Sequence, residues 1–294
     1  MSTILQNKII IILLIFFMSI IYLYFFLEII NIKLFFWPTV VSNRDFLLFC
    51  NNNKNTVKNI SFKSKKLTNL KLCESYIISS ILVNRIEYPN VDKNIIFYCH
   101  GNSWCIGKLY YSSSIVMLSK LKNTTIFMFD YRGYGNTKGF ISENNMYEDA
   151  LNAWNFLTQK LNVSENNIII YGKSLGASVA THLLAYLVKN KKKIPKALFL
   201  DSPFVTLKST VGKLLYGLDN FVTLKFNNLD NLLIINNILP IYLLHSKDDQ
   251  LVKYSESLEL QKKINSTIID IMGSHKHPKY NDNVVNIIQS IINK

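Results

Sequence analysis

Short, mostly apolar runs recur along the chain from about residue 60, each bounded by polar stretches. They read as strands at 60–62, 76–81, 95–99, 125–129, 168–171, 197–200, 241–244 and 267–271. Between them, apolar positions three and four apart predict helices at 112–121, 142–161, 177–189, 256–264 and 284–292. Ser142 opens the second of these as an N-cap, with Glu143 in the acidic first turn. Strands that are apolar throughout, alternating with helices, imply a mostly parallel sheet covered on both faces. The expected fold class is therefore α/β: one domain over 45–294 with its chemistry in the loops at the strand carboxyl ends. The roughly 38 residues from Pro203 to Pro240 hold room for two or three short helices, a minimal cap.

A different pattern fills the first forty residues. Ile9 to Leu27 carries no charge and is almost wholly Ile, Leu, Phe, Met and Tyr. At 1.5 Å per residue it spans about 28 Å, close to the hydrocarbon thickness of a bilayer. Bulky residues continue into Phe35, Phe36 and Trp37, where a cleaved signal peptide would have small ones. Residues 1–44 are expected to be a single-pass transmembrane anchor, its span at about 9–30. Lys8 on one side faces Lys33 and Arg44 on the other, so the positive-inside count assigns no side to the domain.

Composition changes this picture little. The 294 residues carry a formal charge of +14 and are 49% apolar, as a packed core requires. Lys, Asn and Ile are abundant throughout, and no arginine-rich helix or RNA-binding signature accompanies the charge. Nucleic-acid binding is not expected; a modest attraction to acidic head groups is. Cys50, Cys73, Cys99 and Cys105 match no metal-site spacing, and a single Cys99–Cys105 bridge stays open. No cofactor or metal is expected.

Residues 172–176 read Gly-Lys-Ser-Leu-Gly, between a strand and a helix. The pentapeptide alone is a weak signal, compatible with an ordinary turn capped by a serine. In a strand–turn–helix setting it is a nucleophile elbow, which holds Ser174 on a tight turn flanked by glycines. A serine hydroxyl needs a histidine to take its proton and a carboxylate to orient that histidine. After the strand at 241–244, Asp248 and Asp249 compete for the acid role, and Asp201 follows the strand before. After the last strand, both His275 and His277 suit the base by position. His182 reads as a helix-face residue and His100 as a loop brace. The oxyanion formed on attack needs two backbone N–H donors: Leu175, after the nucleophile, and Asn102 or Ser103, in the loop after 95–99.

These motifs together carry a resemblance. His100-Gly101-Asn102, Asp130-Tyr131-Arg132-Gly133-Tyr134-Gly135, the elbow, Asp201-Ser202-Pro203-Phe204 and the block from His245 to Val252 resemble the membrane-anchored α/β-hydrolase-domain-containing proteins. The likeness is to their bud-emergence-type group, similar to subgroup 13 and more distantly to the depalmitoylating subgroup 17. It runs from about residue 60 to the C-terminus. It implies an α/β-hydrolase fold, Asp249 as the acid, His275 as the base and a structural role for 130–135. The implied function is a serine esterase or thioesterase acting on an acylated lipid or acyl-protein at a membrane. A lipase or phospholipase, or a non-catalytic tethered interaction protein, are the alternatives. The chain departs from the pattern at Ser246, Ala177, Lys276-His277, and Trp104-Cys105, the last pair placed to narrow an acyl pocket.

Overall fold

The computed structural model describes residues 12–23, 26, 27, 30, 36, 38–40, 42, 45, 57–59, 62–65, 75–78, 80–83, 94–109, 112–214, 217 and 219–294. Strands are β1 Val57–Asn59, β2 Phe62–Lys65, β3 Ser75–Ile78, β4 Ser80–Val83, β5 Asn94–Cys99, β6 Thr124–Phe129, β7 Ile168–Lys173, β8 Ala197–Asp201, β9 Ile241–Ser246, β10 Thr267–Gly273 and β11 Pro278–Lys279. Helices are α1 Ile106–Leu109, α2 Ser113–Leu118, α3 Glu143–Asn155, α4 Leu175–Lys189, α5 Leu207–Leu214, α6 Asn228–Ile235, α7 Tyr254–Gln261 and α8 Asp282–Ile292.

Among the described residues the main sheet has the order β1-β4-β6-β5-β7-β8-β9-β10-β11. From β6 to β10 every neighbour is parallel, while β1, β4 and β11 pair antiparallel at the edges. β2 and β3 form a separate two-stranded ribbon. The expected strand runs at 60–62 and 76–81 fall partly outside the described residues. β11 and α1 are elements too short for the apolar pattern to announce.

The unbroken apolar strands are buried on both sides because successive side chains point to opposite faces. Phe97 and Phe127, paired in register, lie on one face with Trp154 of α3 and Leu183 of α4. Ile96, Tyr98 and Met128 lie on the other, with Ile115 of α2 and Ile288 of α8. Chain order reverses at β5: β6 adds on one side of it and β7 on the other. The loops after β5 and β7 therefore open a crevice at the carboxyl ends of two adjacent parallel strands.

Ser142 caps α3 as expected, its side chain accepting the Asn145 amide. Glu143 reaches further, accepting the backbone N–H groups of Lys225 at 2.7 Å and Phe226 at 2.8 Å. It thereby fastens the segment between β8 and β9, which holds α5, a 3₁₀ turn at Asp219–Phe221 and α6, onto α3. His182 of α4 stacks on Tyr147 of α3, ring centroids 3.7 Å apart and planes 3° from parallel. Burial pushes the His182 pKa down to about 4, and Lys189 adds to the shift. Between pH 6.5 and 4 the unfolded chain binds a proton here that the folded chain refuses, so folding stability declines as pH falls through that window. His182→Gln is expected to flatten the drop in melting temperature over that range, as thermal melts of both proteins would measure.

At the N-terminus, residues 12–23 are helical, with their apolar side chains largely exposed. Other parts of the expected 9–30 span lie outside the described residues. Among the described residues no helix is long and apolar enough to cross a membrane. The chain before the expected boundary at 44 also contributes to the core of the domain. Phe36, only 4% exposed, belongs to that core and meets the Phe226 ring edge-on at 5.9 Å.

Candidate active site

Lys173 ends β7 and Leu175 begins α4, leaving Ser174 as the single residue that turns the chain. It adopts φ 52° and ψ −116°, a conformation that costs a non-glycine residue on the order of 1–3 kcal/mol. Two bonds hold it there: Ser174 N–H donates to Asp201 O at 2.8 Å, and Ala177 N–H to Ser174 O at 2.9 Å. The flanking glycines are required by space. A Cβ on Gly172 would lie 2.6 Å from Gly176 O and one on Gly176 2.1 Å from Cys99 O, both backbone atoms.

His275 follows β10 through Gly273, whose φ of +86° suits glycine alone. Its Nε2 lies 2.9 Å from Ser174 Oγ and its Nδ1 2.6 Å from Asp249 Oδ2. Asp249 is 3% exposed, and its other oxygen accepts the Leu251 and Val252 amides at 3.0 and 2.9 Å. Burial alone would raise its pKa. Polar support from His245, the hydrogen bond from His275 and the Val252 amide outweigh burial and hold the carboxyl below its usual range. An ionised acceptor at Nδ1 makes that nitrogen the protonated one and leaves Nε2 as a base facing the serine hydroxyl.

The competing candidates go elsewhere. Asp248 and His277 are exposed. Asp201, fully buried, accepts Lys173 Nζ at 2.6 Å, Tyr171 Oη at 2.7 Å and the Tyr280 hydroxyl. Burial opposes its charge, but Lys173 and the tyrosine hydroxyls prevail and lower its pKa. Asp201 thus braces β7 and β8 under the elbow and, through Tyr280, the segment that follows His275. His100 is buried against Tyr131 and Tyr134, its Nδ1 on Gly101 O at 2.8 Å. Burial lowers its pKa to about 4 and raises that of Asp130, 3.6 Å away, to about 8.

Of the expected oxyanion donors, Leu175 opens α4, where the first amides lack helical partners. Ser103 is less suited: its N–H donates to Asn102 Oδ1 at 3.0 Å. Cys105 is fully buried and Trp104 is half-buried against the core on the α2 and α8 side of the sheet, so only Trp104 of that pair stays near the loop surface. Cys99 and Cys105 are both free thiols; no bridge joins them. Among the described residues no group of three or more His, Cys, Asp or Glu side chains is arranged to hold a metal.

His245 is a support that sequence reasoning passed over. Fully buried, it bonds Ser257 Oγ through Nδ1 at 2.7 Å and Val252 O through Nε2 at 2.9 Å. Since the Val252 amide in turn donates to Asp249, the His245–Val252 block is a cradle for one carboxylate. Its signal was the spacing of His245 before Asp249, legible as a loop closure once both ends are known to be buried.

A family model for the alpha/beta hydrolase fold matches residues 96–225. The Pyrococcus furiosus esterase Pf2001 superposes with a TM-score of 0.63 at 18% identity, covering 88% of this chain and 97% of that one. The chain has the α/β-hydrolase fold. Among curated proteins, an uncharacterized protein of Acanthamoeba polyphaga mimivirus is 29% identical over 274 residues, 85% of this chain and 92% of the relative. Rat lysophosphatidylserine lipase ABHD12 is 33% identical over 175 residues, covering 54% of this chain and 42% of that protein. Human alpha/beta hydrolase domain-containing protein 17B is 31% identical over 173 residues, with 58% and 55% covered. The chain spans about half the length of these last two. The likeness therefore stands at the level of α/β-hydrolase-domain-containing proteins, and the narrower bud-emergence-type placement is not among what these matches give.

Proposed function

We propose that the chain is a membrane-tethered serine hydrolase that cleaves an ester or thioester. The observation that carries this reading is the unbroken chain Ser174 Oγ, His275 Nε2, His275 Nδ1–H, Asp249 Oδ2, set on a strained elbow. Ser174 Oγ attacks the carbonyl carbon while His275 Nε2 takes its proton; Asp249 stabilises the resulting imidazolium. The carbonyl oxygen becomes an anion held by the Leu175 and Asn102 amides. The tetrahedral species collapses, the C–O or C–S bond to the leaving group breaks, and His275 returns its proton to that group. Water, deprotonated by the same nitrogen, then attacks the acyl-serine; the bond from the acyl carbon to Ser174 Oγ breaks, His275 returns the proton to that oxygen, and the acid is freed.

Residues 1–44 are proposed as the anchor, with the domain from 45 onward carrying the chemistry, and the substrate as an acyl chain on a lipid or a protein. A lipase reading is favoured by the relative named a lysophosphatidylserine lipase. An acyl-protein thioesterase is the reading the resemblance to subgroup 17 suggests. Both are tested by assaying the full chain in detergent micelles with a lysophospholipid and an S-palmitoylated peptide. Hydrolysis of neither, with turnover of short soluble esters only, would reject a membrane-held substrate.

The exposed neighbours provide internal controls. His275→Ala and Asp249→Asn are each expected to lower kcat by about 10⁴-fold. His277→Ala and Asp248→Asn are expected to stay within about twofold of the parent. Steady-state kinetics on a nitrophenyl ester measure all four, and a comparable loss in either control would displace the assignment.

A further inference from the structure

Thr39 and Val40, which follow the apolar N-terminal stretch in sequence, contact the loops after β5 and β6. Thr39 Oγ1–H donates to Ser103 O at 2.8 Å, across 64 positions in sequence. The Thr39 carbonyl accepts the Gly135 N–H at 2.7 Å, and Val40 forms a parallel bridge with Gly135. Tyr134, beside Gly135, donates its hydroxyl to Asn102 Oδ1 at 3.0 Å, the same oxygen that takes the Ser103 amide. Phe36 fixes the near end of the segment by burial against Phe226. Thr39 and Val40 thus sew the loop after β6 to the loop after β5.

The stitched peptide needs holding. Ser103 sits at φ 65°, a conformation that non-glycine residues rarely keep unless their surroundings over-determine it. Its amide is tied by Asn102 and its carbonyl by Thr39, so both ends of this left-handed residue are clamped. The Asn102–Ser103 peptide follows directly on the amide assigned to the oxyanion. An oxyanion donor works only when 2.7–3.1 Å from the developing charge, and displacement of a reacting group by about 1 Å costs on the order of 10²-fold in rate.

We propose that Thr39 is a positioning residue that sets the oxyanion loop, so that the segment leading from the N-terminal apolar helix is a working part of the site and not a passive tether. This rests on the serine-hydrolase reading of Ser174. Thr39 touches no reacting atom; it acts through Ser103 and the adjoining Asn102 peptide. Its loss weakens stabilisation of the transition state more than substrate binding.

The test compares the full chain carrying Thr39→Val, Thr39→Ser or Ser174→Ala with the parent in detergent micelles, using a nitrophenyl ester as probe. Thr39→Val keeps the side-chain shape and removes the donor; Thr39→Ser keeps the donor. The expected result is a kcat about tenfold lower in Thr39→Val, with KM within twofold, an unchanged melting temperature, and recovery of kcat in Thr39→Ser. Two results overturn it with Ser174→Ala inactive: kcat of Thr39→Val within twofold of the parent, or kcat, KM and melting temperature all degraded and not restored by serine. Full activity of Ser174→Ala would instead remove the hydrolase reading and the proposal with it.

Discussion

Ser174→Ala is expected to lower kcat on a nitrophenyl ester by about 10⁴–10⁶-fold while leaving the melting temperature within a few degrees of the parent. The size follows from the geometry. The hydroxyl lies 2.9 Å from a histidine nitrogen whose tautomer is fixed by a buried carboxylate, so a single deletion removes nucleophile and proton path together. Groups that act as one unit lose their effects non-additively. Ser174→Ala combined with His275→Ala is therefore expected to be no slower than either alone, and the residual rate measures what the oxyanion amides and binding supply. Removing one methyl-sized polar atom from a half-buried turn leaves the core untouched. Alanine at 174 still meets the strained φ, which the bonds from Ser174 N–H to Asp201 O and from Ala177 N–H to Ser174 O impose whatever the side chain.

Gly176→Ala is expected to be the most damaging single substitution to the fold. The added Cβ would sit 2.1 Å from Cys99 O and 2.5 Å from His100 O, the carbonyls at the end of β5. Neither is a flexible side chain, so α4 must lift from the sheet or the end of β5 must shift. An overpacked core site costs about 1–3 kcal/mol when neighbours can adjust, and more where backbone must move. The expected outcome is a fall in melting temperature of about 10 °C or more, or loss of soluble protein, since about 1 kcal/mol corresponds to roughly 2–4 °C in a domain this large. Gly212→Ala in α5 is the comparison: its Cβ would meet only the Asp219 side chain at 3.1 Å, and helical alanine is favoured over glycine by about 1 kcal/mol. That variant is expected to melt within a few degrees of the parent.

How much of this was legible beforehand depends on the range of the interactions concerned. β5, β6, β7, β8 and β9 announce themselves as apolar runs because both faces of each are buried, β10 less so because one of its faces is exposed, and α4 by its periodic apolar positions. The elbow is local too: five residues, with glycines where backbone crowds. The choice between Asp248 and Asp249, or His275 and His277, is not local. Position along the chain fits each pair equally and the family resemblance alone chose between them; in the structure the Leu251 and Val252 amides single out Asp249, and the bonds to Asp249 and Ser174 single out His275. Asp201 looked like a possible acid because it ends a strand; Lys173, whose amine reaches it at 2.6 Å, gives it a different use. Thr39 carried no signal at all, since a threonine bonded to a carbonyl 64 positions away follows no period or motif. Helix ends drifted for an ordinary reason. The run expected to reach 121 stops as α2 at Leu118, where apolar spacing persists after the helical hydrogen bonds have given way to a turn.

A nucleophilic Ser174 can be trapped covalently. The full chain in detergent micelles is treated with a fluorophosphonate, digested, and its peptides are mapped by mass spectrometry. One phosphonyl adduct is expected, on the oxygen of Ser174, absent from Ser174→Ala and strongly slowed in His275→Ala. An adduct on another residue, or equal labelling of the parent and Ser174→Ala, would contradict it.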